Sequence, residues 1–184
     1  GLFDSPYPEP ASFGNFNKPE FQQYALNAAR EAMTLLKNSD NVLPLPKNKK
    51  VLVAGPAAQS ISALNGCWSY TWQGNDDRWY PADSKTIYQA FVDKLGAANV
   101  ITTTQKGFDA PQNYDVTALR KAAAGADVIV LCIGENAYAE SPGNTRDLAL
   151  PKEQEDLVTA AALTGKPVIL VLTEGRPRFI TTIE

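Results

Sequence analysis

Asp127-Val128-Ile129-Val130-Leu131-Cys132-Ile133-Gly134 decides how the chain is read. Six apolar residues run without a polar interruption and close on glycine. A strand with one wet face would alternate, and an amphipathic helix would repeat its apolar residues at three and four. An unbroken run of this length is the pattern of a strand buried on both faces, as in a parallel sheet. Val51-Leu52-Val53-Ala54, closed by Gly55-Pro56, repeats it, as do Val100-Ile101-Thr102 and the segment from Pro167 to Leu172.

Between these runs the period turns helical. Helices are predicted over Thr86–Leu95, Asp115–Ala124 and Lys152–Ala162, the last with Pro151 at the first helical position. A further helix is predicted from Pro19 to Lys37, where Phe21, Tyr24, Ala25, Ala28, Ala32, Leu35 and Leu36 recur at helical spacing. Strands alternating with helices give an α/β fold, a mostly parallel sheet flanked by helices on both faces. Residues 1–18, rich in Pro, Gly, Asn and aromatics, read as a linker, and 19–184 as the α/β domain. Gly1-Leu2-Phe3 has neither an initiating Met nor an apolar leader, and Phe179–Glu184 stops in strand-like sequence. The chain is therefore expected to be cut from a longer one, with its sheet incomplete at the C-terminus.

The 184 residues are 44% hydrophobic and carry a net charge of -3, which suits a chain able to bury a core. The acidity, without a basic run longer than Lys47-Asn48-Lys49-Lys50, argues against nucleic acid as a partner. No apolar stretch approaches the ~20 residues of a membrane span, so no membrane partner is expected. Cys67 and Cys132 make neither a disulfide framework nor a metal site. The absence of histidine removes Ser-His-Asp and Cys-His catalysis from the chain, and no cofactor is expected. Nucleotide binding fails on detail, because Gly55-Pro56 opens no G-x-G-x-x-G and Gly165-Lys166-Pro167 is no P-loop.

Ligands of such sheets gather at the carboxyl ends of the strands. Two long loops leave those ends, Pro56–Asp83 and Gly134–Leu150. The first holds all three tryptophans and the segment Gly66-Cys67-Trp68-Ser69-Tyr70-Thr71-Trp72-Gln73-Gly74. Its rings either anchor the loop or form a platform for the apolar face of a sugar. The second loop carries Glu135, Glu140 and Asp147 among small residues. Any of the three carboxylates is either solvated or chemical. Glu135, against the strand end, is placed to accept backbone N–H bonds, and Arg146 and Asp147 to pair with each other or with Glu135.

The order Ala29-Arg30-Glu31-Ala32-Met33-Thr34-Leu35-Leu36-Lys37-Asn38, Leu43-Pro44-Leu45, Val53-Ala54-Gly55-Pro56-Ala57-Ala58, the aromatic segment, Ala126–Val130 with Gly134-Glu135, and Gly165-Lys166-Pro167-Val168 through Gly175-Arg176-Pro177 resembles the second domain of glycoside hydrolase family 3. The Trp-x-x-x-Trp-Gln-Gly loop looks most like the family's exo-glucanase and xyloglucan-active branch. Cys67 stands where the family usually has a second glycine. The resemblance implies an α/β sandwich that completes the pocket of a TIM-like first domain, which carries the nucleophilic Asp. It implies β-glucoside oligosaccharides as substrates, and a periplasmic or secreted retaining β-glucosidase or exo-β-glucanase. The branch's Gly-Glu-x-x-Tyr-x-Glu pattern falls on Gly134, Glu135, Tyr138 and Glu140, which makes Glu140 the acid/base. Trp68 and Trp72 then line the aglycone side, and Tyr70 and Tyr138 join the expected substrate contacts. Without the first domain this chain should not turn over substrate. A carbohydrate-binding or scaffold domain of the same fold, with Glu140 merely solvated, is the alternative.

Overall fold

A computed structural model of the chain describes residues 1–104, 107–108 and 114–184. Its helices and strands follow in the order α1 (Pro19–Ala32), β1 (Val51–Ala54), α2 (Ile87–Leu95), β2 (Val100–Thr102), α3 (Val116–Ala123), β3 (Val128–Gly134), α4 (Lys152–Ala162) and β4 (Val168–Thr173). Residues 1–43 and 44–184 form two compact units.

In the larger unit the four strands pair in parallel in the order β2-β1-β3-β4. Val51 lies opposite Val100 on one side and Val128 on the other, and Gly134 lies opposite Thr173. The central strands β1 and β3 are buried along their whole length, which is why their sequences lack alternation. Successive side chains point to opposite faces and build two cores. Leu52, Ile129, Leu131 and Ile133 pack with Leu119 and Ala123 of α3 and Leu157 and Ala161 of α4. Val51, Val53, Val130 and Cys132 are joined from the other face by Ile87, Tyr88, Phe91, Val92 and Leu95 of α2. Each fully buried Leu, Ile or Val contributes about 1.5–3 kcal/mol of transfer free energy. The sheet is α/β with helices on both faces, as its sequence pattern predicts.

Caps fix the helix starts. Thr86 Oγ1 accepts from the Gln89 N–H at 3.2 Å while Gln89 Oε1 accepts from the Thr86 N–H at 2.8 Å, a reciprocal box. The Asp115 carboxylate accepts from the Ala118 N–H at 2.9 Å. Pro151 differs from its expected place: with ψ 137° it is the N-cap, and α4 begins at Lys152. Its carbonyl receives the Gln154 N–H at 2.9 Å, and since an N-cap N–H has no intrahelical acceptor, the ring's missing donor costs the helix no bond.

The smaller unit corrects the first helix. It stops at Ala32 rather than Lys37, because Met33 turns extended at ψ 120°. The Thr34 hydroxyl donates to the Ala32 carbonyl, a local bond that competes with a further helical turn. The Asn38 amide then closes the chain back on itself, donating to the Leu43 carbonyl at 2.9 Å and accepting from the Leu43 N–H at 3.0 Å.

Candidate active site

The site is built where β1 and β3 end side by side. Gly134, the last residue of β3, has φ +133°, and a Cβ there would lie 2.1 Å from the Thr173 carbonyl oxygen of β4. Only glycine lets the strands approach this closely at the point where the loop departs. The fully buried side chain of Gln154 on α4 grips the same residue. Its Oε1 accepts from the Gly134 N–H at 2.8 Å, and its Nε2 donates to the Gly134 carbonyl at 2.9 Å.

Glu135 comes next and is 10% exposed. Arg176 Nε donates to both carboxylate oxygens at 3.3 Å, and Arg178 Nη2 closes a second ion pair. Burial alone would raise the Glu135 pKa. The guanidiniums of Arg178 and Arg176, with the Tyr138 hydroxyl, outweigh burial and hold the carboxyl below its ordinary range. Arg178 also donates to the carbonyls of Asp147 and Ala149 at 3.3 Å, so one guanidinium ties both ends of the loop. The expected bonds to Glu135 from backbone N–H groups are thus replaced by two arginines, which bring charge as well as donors. Arg146 pairs with neither Glu135 nor Asp147 among the described residues. The Asp147 carboxylate instead accepts from the Ala149 N–H at 2.9 Å.

Glu174, at the end of β4, has its pKa raised by burial first and then by the charge of Glu135. Its Oε1 meets no hydrogen-bond partner among the described residues.

Tyr138 is packed into the loop rather than standing with the tryptophans. The Arg176 guanidinium lies 4.0 Å from its ring centroid, a cation–π contact. A Cβ on Gly143 would fall 2.1 Å from the ring's Cδ2, so the ring fills the space that glycine leaves. Burial and the hydrogen bond to Glu135 raise the phenol's pKa.

The aromatic loop is a tight turn. The Trp68 N–H donates to the Trp72 carbonyl at 3.0 Å, and Trp68 itself takes the left-handed backbone, φ +57°. The left-handed residue is therefore not Cys67, and a side chain is tolerated there. Trp68 and Trp72 are 66% and 46% exposed, their centroids 6.3 Å apart and their planes at 47°. Tyr70 is exposed too, its ring edge-on to Tyr80 at 4.9 Å.

The two loops are stitched together. Gln73 Oε1 accepts from the Ala139 N–H at 3.0 Å and its Nε2 donates to the Ala139 carbonyl at 3.3 Å. Asn136 accepts from Ser62 Oγ at 3.3 Å and donates to the Asn75 carbonyl at 3.4 Å. Asp77 holds the other side of Ser62, accepting its N–H at 2.8 Å.

Glu140 follows Ala139 directly. It is exposed, at φ +52° and ψ -140°, and its carbonyl accepts from the Gly143 N–H at 2.9 Å. No described residue makes an ion pair or hydrogen bond with its carboxylate. The structure thus separates the loop's acids: Glu135 is held by two arginines, Asp147 accepts from a backbone N–H, and the Glu140 carboxylate has no partner among the described residues. Gln73 and Arg176 were legible only as members of motifs, and Gln154 and Arg178 were not singled out at all. The one cue was charge: Arg176 and Arg178 follow a strand predicted in the same sheet as the one that ends at Glu135.

The profile of the glycosyl hydrolase family 3 C-terminal domain matches residues 33–184. Over 188 residues the chain is 36% identical to a lysosomal beta glucosidase of Dictyostelium discoideum, covering 98% of this chain and 23% of that protein. It is 31% identical to a periplasmic beta-glucosidase of Salmonella typhimurium, covering 96% of this chain and 26% of the relative. With a probable beta-D-xylosidase of Arabidopsis thaliana it shares 32% identity over 98% of this chain and 23% of the other. The crystal structure of a beta-glucosidase from Listeria innocua in complex with glucose superposes with a TM-score of 0.78 at 25% identity, over 98% of this chain and 24% of that one. The chain thus spans about a quarter of the length of the curated relatives it matches. With the profile running from Met33 to Glu184 over a four-stranded parallel sheet, the chain belongs to glycosyl hydrolase family 3.

Proposed function

We propose that this chain is the part of a retaining β-glucosidase or exo-β-glucanase that supplies the acid/base, Glu140, and the aglycone-side rings Trp68 and Trp72. The reaction is hydrolysis of terminal non-reducing β-D-glucosyl residues. The observation that carries the reading is the Glu140 carboxylate, without a partner among the described residues, on a stretch of loop held by Gln73 at Ala139 and by the Gly143 N–H at the Glu140 carbonyl. A retaining glycosidase needs one carboxylate as nucleophile and one carboxyl to protonate the leaving oxygen, ~5–5.5 Å apart. A donor in this reaction must hold its proton when the bond breaks, and a sugar that excludes water, with the charge of the partner carboxylate, favours that state. In this reading the nucleophilic Asp comes from a TIM-like first domain, in the same polypeptide or a separate piece. This chain alone then turns over no substrate.

The test is Glu140→Ala in the full-length polypeptide. Loss of proton donation lowers kcat/KM on glucosides with alcohol leaving groups by about 10²–10⁴-fold. Activated aryl glucosides, whose leaving groups need no proton, lose far less, and azide restores part of the rate. Equal loss on both classes overturns the assignment. Parallel assays with aryl β-xylosides decide between the two sugars named for the relatives. Cell fractionation tests the periplasmic or secreted location suggested by the Salmonella relative.

The exposed indoles favour a second reading, a carbohydrate-binding domain that works alone. Calorimetric titration of this chain with cello-oligosaccharides separates the two. Tight binding supports a binding module, whereas half a pocket binds weakly.

A further inference from the structure

We infer that Gln73 is a positioning residue for the proton donor, an inference that rests on the assignment of Glu140 as the acid/base. The peptide group immediately before Glu140 is held by one side chain. The Gln73 amide takes the Ala139 N–H at 3.0 Å and gives a proton to its carbonyl at 3.3 Å. A primary amide carries an acceptor and a donor side by side, so it holds at once the N–H on one side of Ala139 and, on the other, the carbonyl of the peptide that leads into Glu140. Ala139 is buried, so neither backbone group has water as a substitute.

What this grip protects is a costly conformation. At φ +52° and ψ -140°, Glu140 occupies a backbone region that a residue with a side chain keeps only when its surroundings impose it. On the far side the Gly143 N–H holds the Glu140 carbonyl at 2.9 Å, and Gly143 is wedged on the Tyr138 ring. On the near side the described residues offer only Gln73. Removing its amide leaves the residue free to relax towards an ordinary backbone region, which swings the carboxylate.

Gln73 also follows Trp72 directly, next to the turn that the Trp68 N–H closes on the Trp72 carbonyl. The same side chain therefore fixes the distance between the exposed indoles and the carboxylate. An aglycone resting on the rings would meet the donor at a set separation, and a misplacement of about 1 Å costs up to 100-fold in such arrangements.

The experiment compares Gln73→Met, which keeps the side-chain length and loses both hydrogen bonds, with Glu140→Ala in the full-length polypeptide. Gln73→Met is expected to lower kcat/KM on glucosides with alcohol leaving groups by about tenfold or more, while kcat/KM for dinitrophenyl glucoside, which reports the first step alone, stays within about threefold. The loss should sit in kcat rather than KM. A merely structural role predicts equal loss on both substrates together with a lowered melting temperature, and that result overturns the inference, as does no loss on either. If Gln73→Met does not accumulate folded, Gln73→Glu, which keeps the oxygen that receives the Ala139 N–H, is read by the same criteria. If Glu140→Ala shows no dependence on the leaving group, the acid/base assignment fails. If Glu140→Ala shows it and the Gln73 variants do not, only the positioning role fails.

Discussion

Glu135 and Glu140 are five residues apart on one loop and live in opposite surroundings. Glu135 is 10% exposed, bound by Arg176, Arg178 and Tyr138, and its charge is spent inside the protein. Glu140 is exposed, and its carboxylate has no partner among the described residues while the backbone around it is held. The loop thus divides two tasks between two copies of the same side chain. One acid anchors the start of the loop through two arginines, and the other, inside the loop, keeps a carboxylate with no partner among the described residues. An acid free to act must stay out of the internal ion pairs, so the arginines have to be occupied elsewhere.

The largest effect expected from this contrast is on activity. Glu140→Gln in the full-length polypeptide should lower kcat/KM on alcohol glucosides by about 10²–10⁴-fold. Its unfolding free energy should stay within about 0.5 kcal/mol of the parent, as for other surface changes. A large stability loss would erase the contrast. Glu135→Ala should do the reverse, costing about 2–4 kcal/mol in urea unfolding, because it removes the carboxylate that both poorly hydrated guanidiniums bind. Partial exposure of Arg176 places this below the value for a fully enclosed pair.

Gly143→Ala comes next, at about 1–3 kcal/mol, because its methyl would overlap Tyr138 and the ring has to give way. Leaving-group dependence in this variant would show that the far anchor also aims Glu140.

The smallest effect is on pH dependence. The lowered pKa of Glu135 means that its stabilisation is present above the unfolded value near 4.5 and is lost as pH falls through the folded one. Glu174 has a raised pKa, so it favours the folded state below about 4.5 and loses that advantage as pH rises through its folded value. Glu174→Gln should therefore melt at or above the parent temperature at pH 7, with the difference closing below pH 4.5. A lowered melting temperature at pH 7 would mean that Glu174 acts as a needed counter-ion to Arg178.

The strands were legible because burial on both faces writes itself as an unbroken apolar run, as in Val128–Ile133. The end of α1 was not, since Leu35 and Leu36 continue the helical spacing after the backbone has left it. At the site, residue type and loop length narrowed the acids to three, and the family pattern around Tyr138 singled out Glu140. What sequence could not show were the clamps. Gln73 meets Ala139 across 66 residues and Arg178 meets Glu135 across 43. Such pairs have no period and no spacing, because the fold alone brings them together. Tyr138 is the instructive case: an aromatic beside a catalytic candidate reads as a substrate contact, and its packing on Arg176 and Gly143 could not be read from the sequence.

Trp68, Trp72 and Trp79 all lie on the loop after β1, none in either core. The chain's tryptophan emission therefore comes from that loop and not from the sheet. Quenching by iodide should be efficient and insensitive to changes buried under α4. A blue shift on adding sugar would report dehydration of these indoles specifically, with no label attached.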